Sequence, residues 1–163
     1  NVVEGGIGGG NEVEVKDEAE EKQTSQMEID AKYIKDNYNL DIPLRGTVTS
    51  RFGIRTPNNI VSANHAGIDI GANEGTKIVA AMDGEATLVS QEGDYGNHIK
   101  ITNGNVTTLY AHCKSLYINQ GDKISKGMEI AEVGSTGRAT GPHLHFEIRA
   151  YDRLVNPEYV LKF

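Results

Sequence analysis

Short apolar runs, separated by glycine and other turn residues, dominate the chain after residue 42. Within these runs apolar and polar positions alternate or β-branched residues predominate, and both patterns are typical of β-strands. The predicted strands cover residues 47–52, 77–81, 85–90, 98–102, 106–112, 128–133 and 143–150. No helical period interrupts them. The body is therefore predicted to be all-β, an antiparallel β-sheet sandwich or open barrel.

Two dipeptides predict tight turns in this body, Asp83-Gly84 and Asn103-Gly104. Both central positions of a type I′ turn need positive φ, which glycine adopts freely and Asn or Asp tolerates. The sequence therefore predicts a β-hairpin at each dipeptide.

The first 41 residues follow a different pattern. A glycine-rich stretch at residues 5–10 predicts a flexible linker. From residue 12 to about residue 37 the chain is charged, and Met27, Ala31 and Ile34 are spaced as the thin apolar stripe of a marginal helix. Composition leaves a second interpretation open, a solvated linker between an anchor and the body. We predict an acidic stalk over residues 1–41, dispensable for folding, and a folded domain over residues 42–163.

Length and charge agree with this division. The 163 residues suffice for one globular domain with a tail. The net charge of −7 belongs to residues 1–41, which hold eleven acidic and four basic side chains, so the body is neutral. It has no basic stripe, which argues against a nucleic-acid partner. No apolar run approaches the roughly 18 residues of a membrane helix, so we expect membrane attachment only through an anchor outside this sequence.

Two histidines two positions apart introduce candidate chemistry. His143 and His145 fall on one side of the last predicted strand, and Leu144 and Phe146 on the other. A strand rises about 3.3 Å per residue, so the Cα atoms of the two histidines lie about 6.6 Å apart and both imidazoles extend from the same side of the strand. One of them can then bind a metal ion while the other acts on the water or substrate bound to that ion. An isolated H-x-H pair more often only forms part of the polar face of a strand. Its functional interpretation therefore depends on the other candidate residues in the chain.

A second pair, His65 and Asp69, shares a face of another alternating stretch. A straight strand would separate their Cα atoms by about 13 Å, too far for both to bind one ion. The backbone must therefore bend between them, and Gly67 can supply that bend.

The third element is His112, at the end of a further alternating stretch, followed by Cys113. Thiolates bind zinc well, but on a strand Cys113 points opposite to His112 and continues an apolar rhythm. We interpret Cys113 as a small buried hydrophobic residue and His112 as a functional one.

Together the chain offers five candidate site residues, which are four of its five histidines and one carboxylate: His65, Asp69, His112, His143 and His145. A catalytic zinc takes three protein ligands and leaves a position for water, so two candidates remain for acid/base or oxyanion roles. Spacing alone does not decide which of His143 and His145 binds the metal, or whether His112 does.

The surrounding motifs extend this pattern over residues 45–158. They are Ser50-Arg51-Phe52-Gly53 with Arg55, His65-Ala66-Gly67-Ile68-Asp69, Gly75-Thr76, Tyr110-Ala111-His112, Gly134-Ser135-Thr136-Gly137 and Gly141-Pro142-His143-Leu144-His145-Phe146-Glu147. The set resembles the lysostaphin-type (LytM-like) zinc metallopeptidases of bacterial cell walls. The resemblance implies a β-sheet groove in which His65, Asp69 and His145 bind one zinc ion. It also implies that His112 and His143 flank the water that the metal activates.

The resemblance further implies an endopeptidase acting on the stem peptides or cross-bridges of peptidoglycan, in an extracytoplasmic location. Loops at residues 56–64 and 134–140 are expected to set its specificity. Cys113 departs from the family, which usually has an aliphatic residue there, and His98 falls at a variable position. His98 is therefore interpreted as an ordinary strand residue.

A different class of function stays open. Some proteins that share this fold act as scaffolds, such as a sporulation engulfment-channel component or activators of other wall hydrolases. These depend on a protein partner at the cell envelope. Several of them lack a metal-site residue, whereas this sequence retains all five, which favours an enzyme. A purely structural zinc site is disfavoured because such sites are usually rich in cysteine.

Overall fold

The computed structural model describes residues 11–54 and 64–163. The glycine-rich stretch at 5–10, Arg55 and most of the predicted specificity loop at 56–64 lie outside the described residues. The elements are α1 (Asn11–Asn37), β1 (Thr47–Ser50), β2 (Gly53–Ile54), β3 (Asn64–His65), β4 (Ile68–Gly71), β5 (Lys77–Val79), β6 (Gly84–Ser90), β7 (Asn97–Asn103), β8 (Val106–Leu116), β9 (Lys123–Ile124), β10 (Glu129–Val133), β11 (His143–Ala150), β12 (Arg153–Val155) and a 3-10 helix, Pro157–Tyr159.

Ten of the strands in the described part of the chain form one open antiparallel sheet. Its main order is β1-β4-β11-β8-β7-β6-β9, while β12 extends β11 and β10 joins β5 to β8. The remaining two strands, β2 and β3, form a small ribbon. The all-β prediction is confirmed, and each of the seven predicted strands is present.

The core lies beneath one face of this sheet. The alternating apolar residues of β4 and β11 point into it, with Ile68, Leu144, Phe146 and Ile148 fully buried. The residues of opposite parity on β11, including both histidines, are thereby directed to the other face. Packing of the apolar half of each strand thus fixes where the polar half must point.

The turn predictions had mixed outcomes. A hairpin joins β7 to β8, but Asn103 pairs with Val106, so Gly104 and Asn105 occupy the centre of the turn. Gly104 has φ of 60° while Asn105 is not left-handed, the pattern of a type II′ turn. The Asp83-Gly84 hairpin prediction is wrong, because β5 pairs with β10 and not with β6.

One hairpin had no glycine signal in the sequence. Tyr151 and Asp152 connect β11 to β12, and both have positive φ, 53° and 64°. This is type I′ geometry without glycine. The cost of two left-handed residues is offset by the pairing of β12, whose Val155 is fully buried.

The predicted marginal helix is present as α1, and its last turns lie on the sheet. Ala31 and Ile34 are buried, and Met27 packs against the same core, so the apolar stripe makes these contacts. Beside it Asp30, 2% exposed, accepts two hydrogen bonds of 2.9 Å from Arg153 on β12. These bonds hold the pKa of the Asp30 carboxyl below its usual value. No helix among the described residues is long and apolar enough to span a membrane.

The domain boundary at residue 41 stays a prediction, but these contacts change what we expect from truncation. Deleting residues 1–21 keeps Met27, Asp30, Ala31 and Ile34, which contact the rest of the fold, and we expect it to leave stability unchanged. Deleting residues 1–41 removes Ile34 and Asp30, and should cost at least about 2 kcal/mol, the lower range for emptying one buried aliphatic site. Urea unfolding of both truncated proteins is the measurement. Equal unfolding midpoints would show that the α1 contacts contribute nothing to stability.

Candidate metal centre

Strand register brings the first two site residues together. On β11, His145 lies directly opposite Asp69 of β4 on one side and Ala111 of β8 on the other. Directly opposed residues in an antiparallel pair have Cβ atoms about 5 Å apart, so the two side chains meet without any loop rearrangement. His145 Nδ1 lies 3.0 Å from Asp69 Oδ1.

The predicted bend between His65 and Asp69 is confirmed. The chain turns at Ala66 and Gly67 between β3 and β4, and His65 Nε2 comes to lie 3.3 Å from Asp69 Oδ1. A Cβ atom on Gly67 would stand 2.1 Å from the backbone oxygen of Phe146. Glycine is needed here because the bend presses the backbone directly against β11.

His65, Asp69 and His145 form a compact cluster, in which one ligand atom from each lies within 4.8 Å of the others. An ion bound at about 2 Å holds its ligand atoms about 3 to 4 Å apart, so the cluster matches a single mononuclear site. Two imidazole nitrogens and a carboxylate oxygen are ligands suited to a transition-metal ion. The site therefore has the geometry and the chemistry to hold a metal.

Hydrogen bonds already orient both imidazoles of this cluster. His65 Nδ1 lies 3.0 Å from the backbone oxygen of Arg51, which can only accept, so Nδ1 carries a hydrogen and Nε2 is the nitrogen that faces Asp69. His145 Nε2 lies 2.8 Å from Glu147 Oε2, and Nδ1 faces Asp69. Each histidine is thus anchored through one nitrogen and directs the other toward the cluster.

The two remaining histidines stand together beside the cluster. The ring centroids of His112 and His143 are 5.0 Å apart, and His112 is 6.0 Å from His145. His112 Nδ1 donates to the backbone oxygen of Thr136 at 2.8 Å, and His143 Nδ1 donates to that of Gly141 at 2.9 Å. His143 Nε2 lies 3.7 Å from Asp69 Oδ1. All five predicted site residues are therefore brought to one place.

An irregularity in β8 positions His112. Up to Ala111 the strand pairs with β11, and from Cys113 onward it pairs with β10 instead. His112 sits at this branch with φ of 65°, and its backbone N–H donates to Tyr95 O at 2.8 Å. Left-handed backbone on a non-glycine residue costs roughly 1 to 3 kcal/mol and is often found at functional sites. Here it directs the imidazole toward His143 and His145 while Cys113 enters the core.

Burial and charge act in opposite directions on the acidic and basic groups of the cluster. Burial alone would raise the pKa of Asp69, but hydrogen bonds with His145 and His65 hold it well below its usual value. Burial alone would lower the pKa of His145, yet hydrogen bonds to Asp69 and Glu147 raise it to about 9. Burial lowers the pKa of His112. The pKa values of all three groups are thus shifted from their usual values, which is common for ionisable groups at functional sites.

Three further groups at the site were missed by sequence reasoning. The strand pattern placed Glu147 on the polar face of β11 but gave it no role, and Arg149 continues that face. Tyr95 comes from the loop before β7, where no periodic pattern marks it. Its hydroxyl donates to Glu147. Only the tertiary structure brings it to β11.

The two residues interpreted as structural behave accordingly. Cys113 is fully buried, as predicted, and burial raises the pKa of its thiol to about 12. His98 is a buried residue of β7 whose Nδ1 donates to Gly96 O at 2.8 Å. Its ring contacts Tyr95 and makes none of the contacts within the cluster.

The centre combines three N and O donors with two adjacent imidazoles on the polar face of an open sheet. This combination is typical of mononuclear metallohydrolases. Comparison with known proteins narrows this class. Residues 63–157 match the model of Peptidase family M23, and the chain belongs to that family. The resemblance predicted from the sequence is confirmed.

Individual relatives agree with this assignment. DD-carboxypeptidase/endopeptidase Mpg of Neisseria meningitidis serogroup B is 41% identical over 125 residues, 76% of this chain and 29% of that protein. Peptidoglycan DD-endopeptidase ShyA of Vibrio cholerae is 37% identical over 95 residues, 58% of this chain and 22% of that protein. The crystal structure of a zinc-containing peptidase from Vibrio cholerae matches with a TM-score of 0.69 and 28% identity, over 78% of this chain and 40% of that one. The chain thus spans less than a third of the length of these two curated relatives.

Proposed function

We propose that this chain is a zinc-dependent endopeptidase that hydrolyses peptide bonds in the stem peptides or cross-bridges of peptidoglycan. The observation that carries the proposal is the convergence of His65, Asp69 and His145 on one cluster, with His112 and His143 beside it. Membership of Peptidase family M23 and the similarity to a named peptidoglycan DD-endopeptidase support it.

His65 through Nε2, Asp69 through its carboxylate and His145 through Nδ1 are proposed to hold the zinc ion. These are the atoms that already face one another in the cluster. Three protein ligands of this kind are typical of catalytic rather than structural zinc. When bound, zinc lowers the pKa of water toward neutrality and polarises the scissile carbonyl.

His112 and His143 are proposed to move protons and to stabilise charge. Each donates its Nδ1–H to a backbone carbonyl, which fixes the ring and leaves Nε2 for the substrate side. An imidazole held this way can accept a proton from the attacking water and return it to the leaving amine. Alternatively it can donate a hydrogen bond to the tetrahedral oxyanion. The division of these roles between the two residues stays open.

Peptidoglycan lies outside the cytoplasmic membrane, so the proposed substrate implies an extracytoplasmic location in the cell wall or facing it. The acidic residues 1–41 would then serve as a stalk that carries the catalytic domain of residues 42–163.

The competing proposal is a scaffold that uses the same fold to bind a protein partner at the cell envelope. All five site residues that the family resemblance implies are present, and each of the four imidazoles is oriented by a hydrogen bond. A partner-binding surface does not need that orientation. We therefore favour the enzyme.

The test is a combined metal and substrate experiment on the full chain. Protein purified without chelator should contain about one zinc ion per chain. That protein, incubated with purified peptidoglycan of several cross-link chemistries, should release new muropeptides that mass spectrometry identifies. The peptides released would show which bond is cut.

Chelator-treated protein and chelator-treated protein reloaded with zinc are the matched controls. The first should be inactive and the second restored. A chain that takes up no stoichiometric zinc even after dialysis against it would overturn the metal assignment. A zinc-loaded chain that releases nothing from any peptidoglycan would favour the scaffold.

A further inference from the structure

Glu147 is a carboxylate beside the metal cluster that the proposed chemistry does not use. It is 1% exposed and therefore almost wholly withdrawn from water. Three side chains donate to it: the His145 Nε2–H at 2.8 Å, the Tyr95 hydroxyl, and Arg149 at 3.4 Å. A buried charge is tolerated only when it is paired and hydrogen-bonded, and this one is both.

The arrangement of these donors fixes the direction of the carboxylate. Tyr95 and His145 both address Oε2, while Arg149 addresses Oε1. Rotating the Glu147 carboxylate would break contacts at both oxygens at once. The group is thus held as an acceptor of fixed direction at the Nε2 edge of the His145 ring.

The consequence falls on His145. An ionised carboxylate can only accept, so the nitrogen facing Glu147, Nε2, carries a hydrogen. Nδ1, which faces Asp69, is then the nitrogen left to give its lone pair to a bound metal ion. The Tyr95 ring also lies against the imidazole, with centroids 5.6 Å apart and planes inclined by 25°. Both the proton position and the ring plane of His145 are therefore determined by neighbouring side chains.

We propose that Glu147, held in place by Tyr95 and Arg149, is a positioning residue that fixes the tautomer and orientation of His145 so that Nδ1 faces the metal. The inference rests on the proposed metal site and extends it beyond the ligands. His65 Nδ1, in contrast, faces the backbone oxygen of Arg51 at 3.0 Å and the Ser50 hydroxyl at 3.3 Å. His145 is thus oriented by a buried carboxylate and His65 by neutral groups.

Zinc affinity of the full chain, measured by competition with a chelator at one pH, tests the proposal. Glu147→Gln should weaken zinc binding by about 10- to 100-fold, the usual effect of losing such a partner of a metal ligand. Tyr95→Phe keeps the stacked ring and removes only the hydroxyl, so it should weaken binding by less. The double variant should bind about as poorly as Glu147→Gln alone, because Tyr95 acts through Glu147.

The chain contains a matched control pair. Tyr117 donates its hydroxyl to Glu132, as Tyr95 does to Glu147. Glu132 lies on β10, where it also approaches Lys77. Tyr117→Phe and Glu132→Gln should leave zinc affinity unchanged. Thermal unfolding of the metal-free variants separates a loss of folding from a loss of affinity. If Glu147→Gln does not fold, Tyr95→Phe still decides the question.

Nitrogen NMR of ¹⁵N-histidine-labelled, zinc-loaded protein provides the readout that a merely structural role would not produce. The expected result is His145 protonated at Nε2 and metal-bound at Nδ1. Zinc on Nε2, or a folded Glu147→Gln protein that binds zinc as tightly as the unsubstituted chain, would overturn the proposal. No substrate is involved, so a chain that meets these expectations but cuts no peptidoglycan would overturn the proposed function alone.

Discussion

Replacing His145 with alanine is expected to abolish stoichiometric zinc binding and, with it, peptidase activity. The substitution removes one of three proposed protein ligands and leaves the Glu147 carboxylate buried without its central donor. Loss of a partner of a metal ligand usually costs about 10- to 100-fold in affinity, so loss of the ligand itself should cost more. Zinc content after dialysis and muropeptide release are the measurements.

The same result is expected for His65→Ala and Asp69→Ala, since each supplies one atom of the same cluster. The chain's fifth histidine provides the control, because His98 is buried and contacts Tyr95 but none of the three cluster residues. His98→Ala should retain one zinc per chain. A His145→Ala protein that keeps its zinc while His143→Ala loses it would show that the two roles are reversed.

Alternation along β11 was enough to predict which side chains share the groove. The apolar positions Leu144 and Phe146 belong in the core, so His143 and His145 must face the other way. The bend at Gly67 also followed from distance alone, because a straight strand cannot bring His65 to Asp69. Local periodicity and chain geometry thus identify the candidate residues, but not which of them form the cluster.

Strand register is what the sequence left open. Both histidines of β11 face the groove, but His145 is the one opposite Asp69, and its Nδ1 lies 3.0 Å away against 3.7 Å for His143 Nε2. Register depends on how β4, β8 and β11 align, and it is set by packing across the whole sheet. The choice of His145 rather than His143 as a proposed ligand therefore rests on this register and on the family resemblance.

Long-range contacts explain the other omissions. Tyr95 reaches Glu147 across 52 positions of sequence, and Arg153 reaches Asp30 across 123. Neither pair has a local signature. The Asp83-Gly84 prediction was wrong for the same reason, because tertiary pairing of β5 with β10 overrode a local turn signal. Sequence patterns fixed which faces are polar, and tertiary contacts decided which polar groups meet.

His112→Ala and His143→Ala are expected to keep their zinc but to lose about 10²- to 10⁴-fold in turnover, the usual contribution of a positioned acid/base group. Neither residue belongs to the cluster of three, and each is oriented by its own backbone carbonyl. The three proposed metal ligands are therefore expected to stay in place when either imidazole is removed. Zinc stoichiometry measured beside the rate of muropeptide release separates this outcome from loss of the metal.

His112 needs a second substitution because its φ of 65° strains most residues. Asparagine tolerates left-handed backbone better than alanine does, so His112→Asn should keep the β8 branch intact while removing the imidazole. Equal losses of turnover in His112→Asn and His112→Ala would assign the effect to the missing ring rather than to altered backbone. If the chain is a scaffold, zinc-loaded His112→Asn and His143→Ala proteins should support its cellular role as well as the unsubstituted chain does. That result would contradict the catalytic assignment even with the metal site complete.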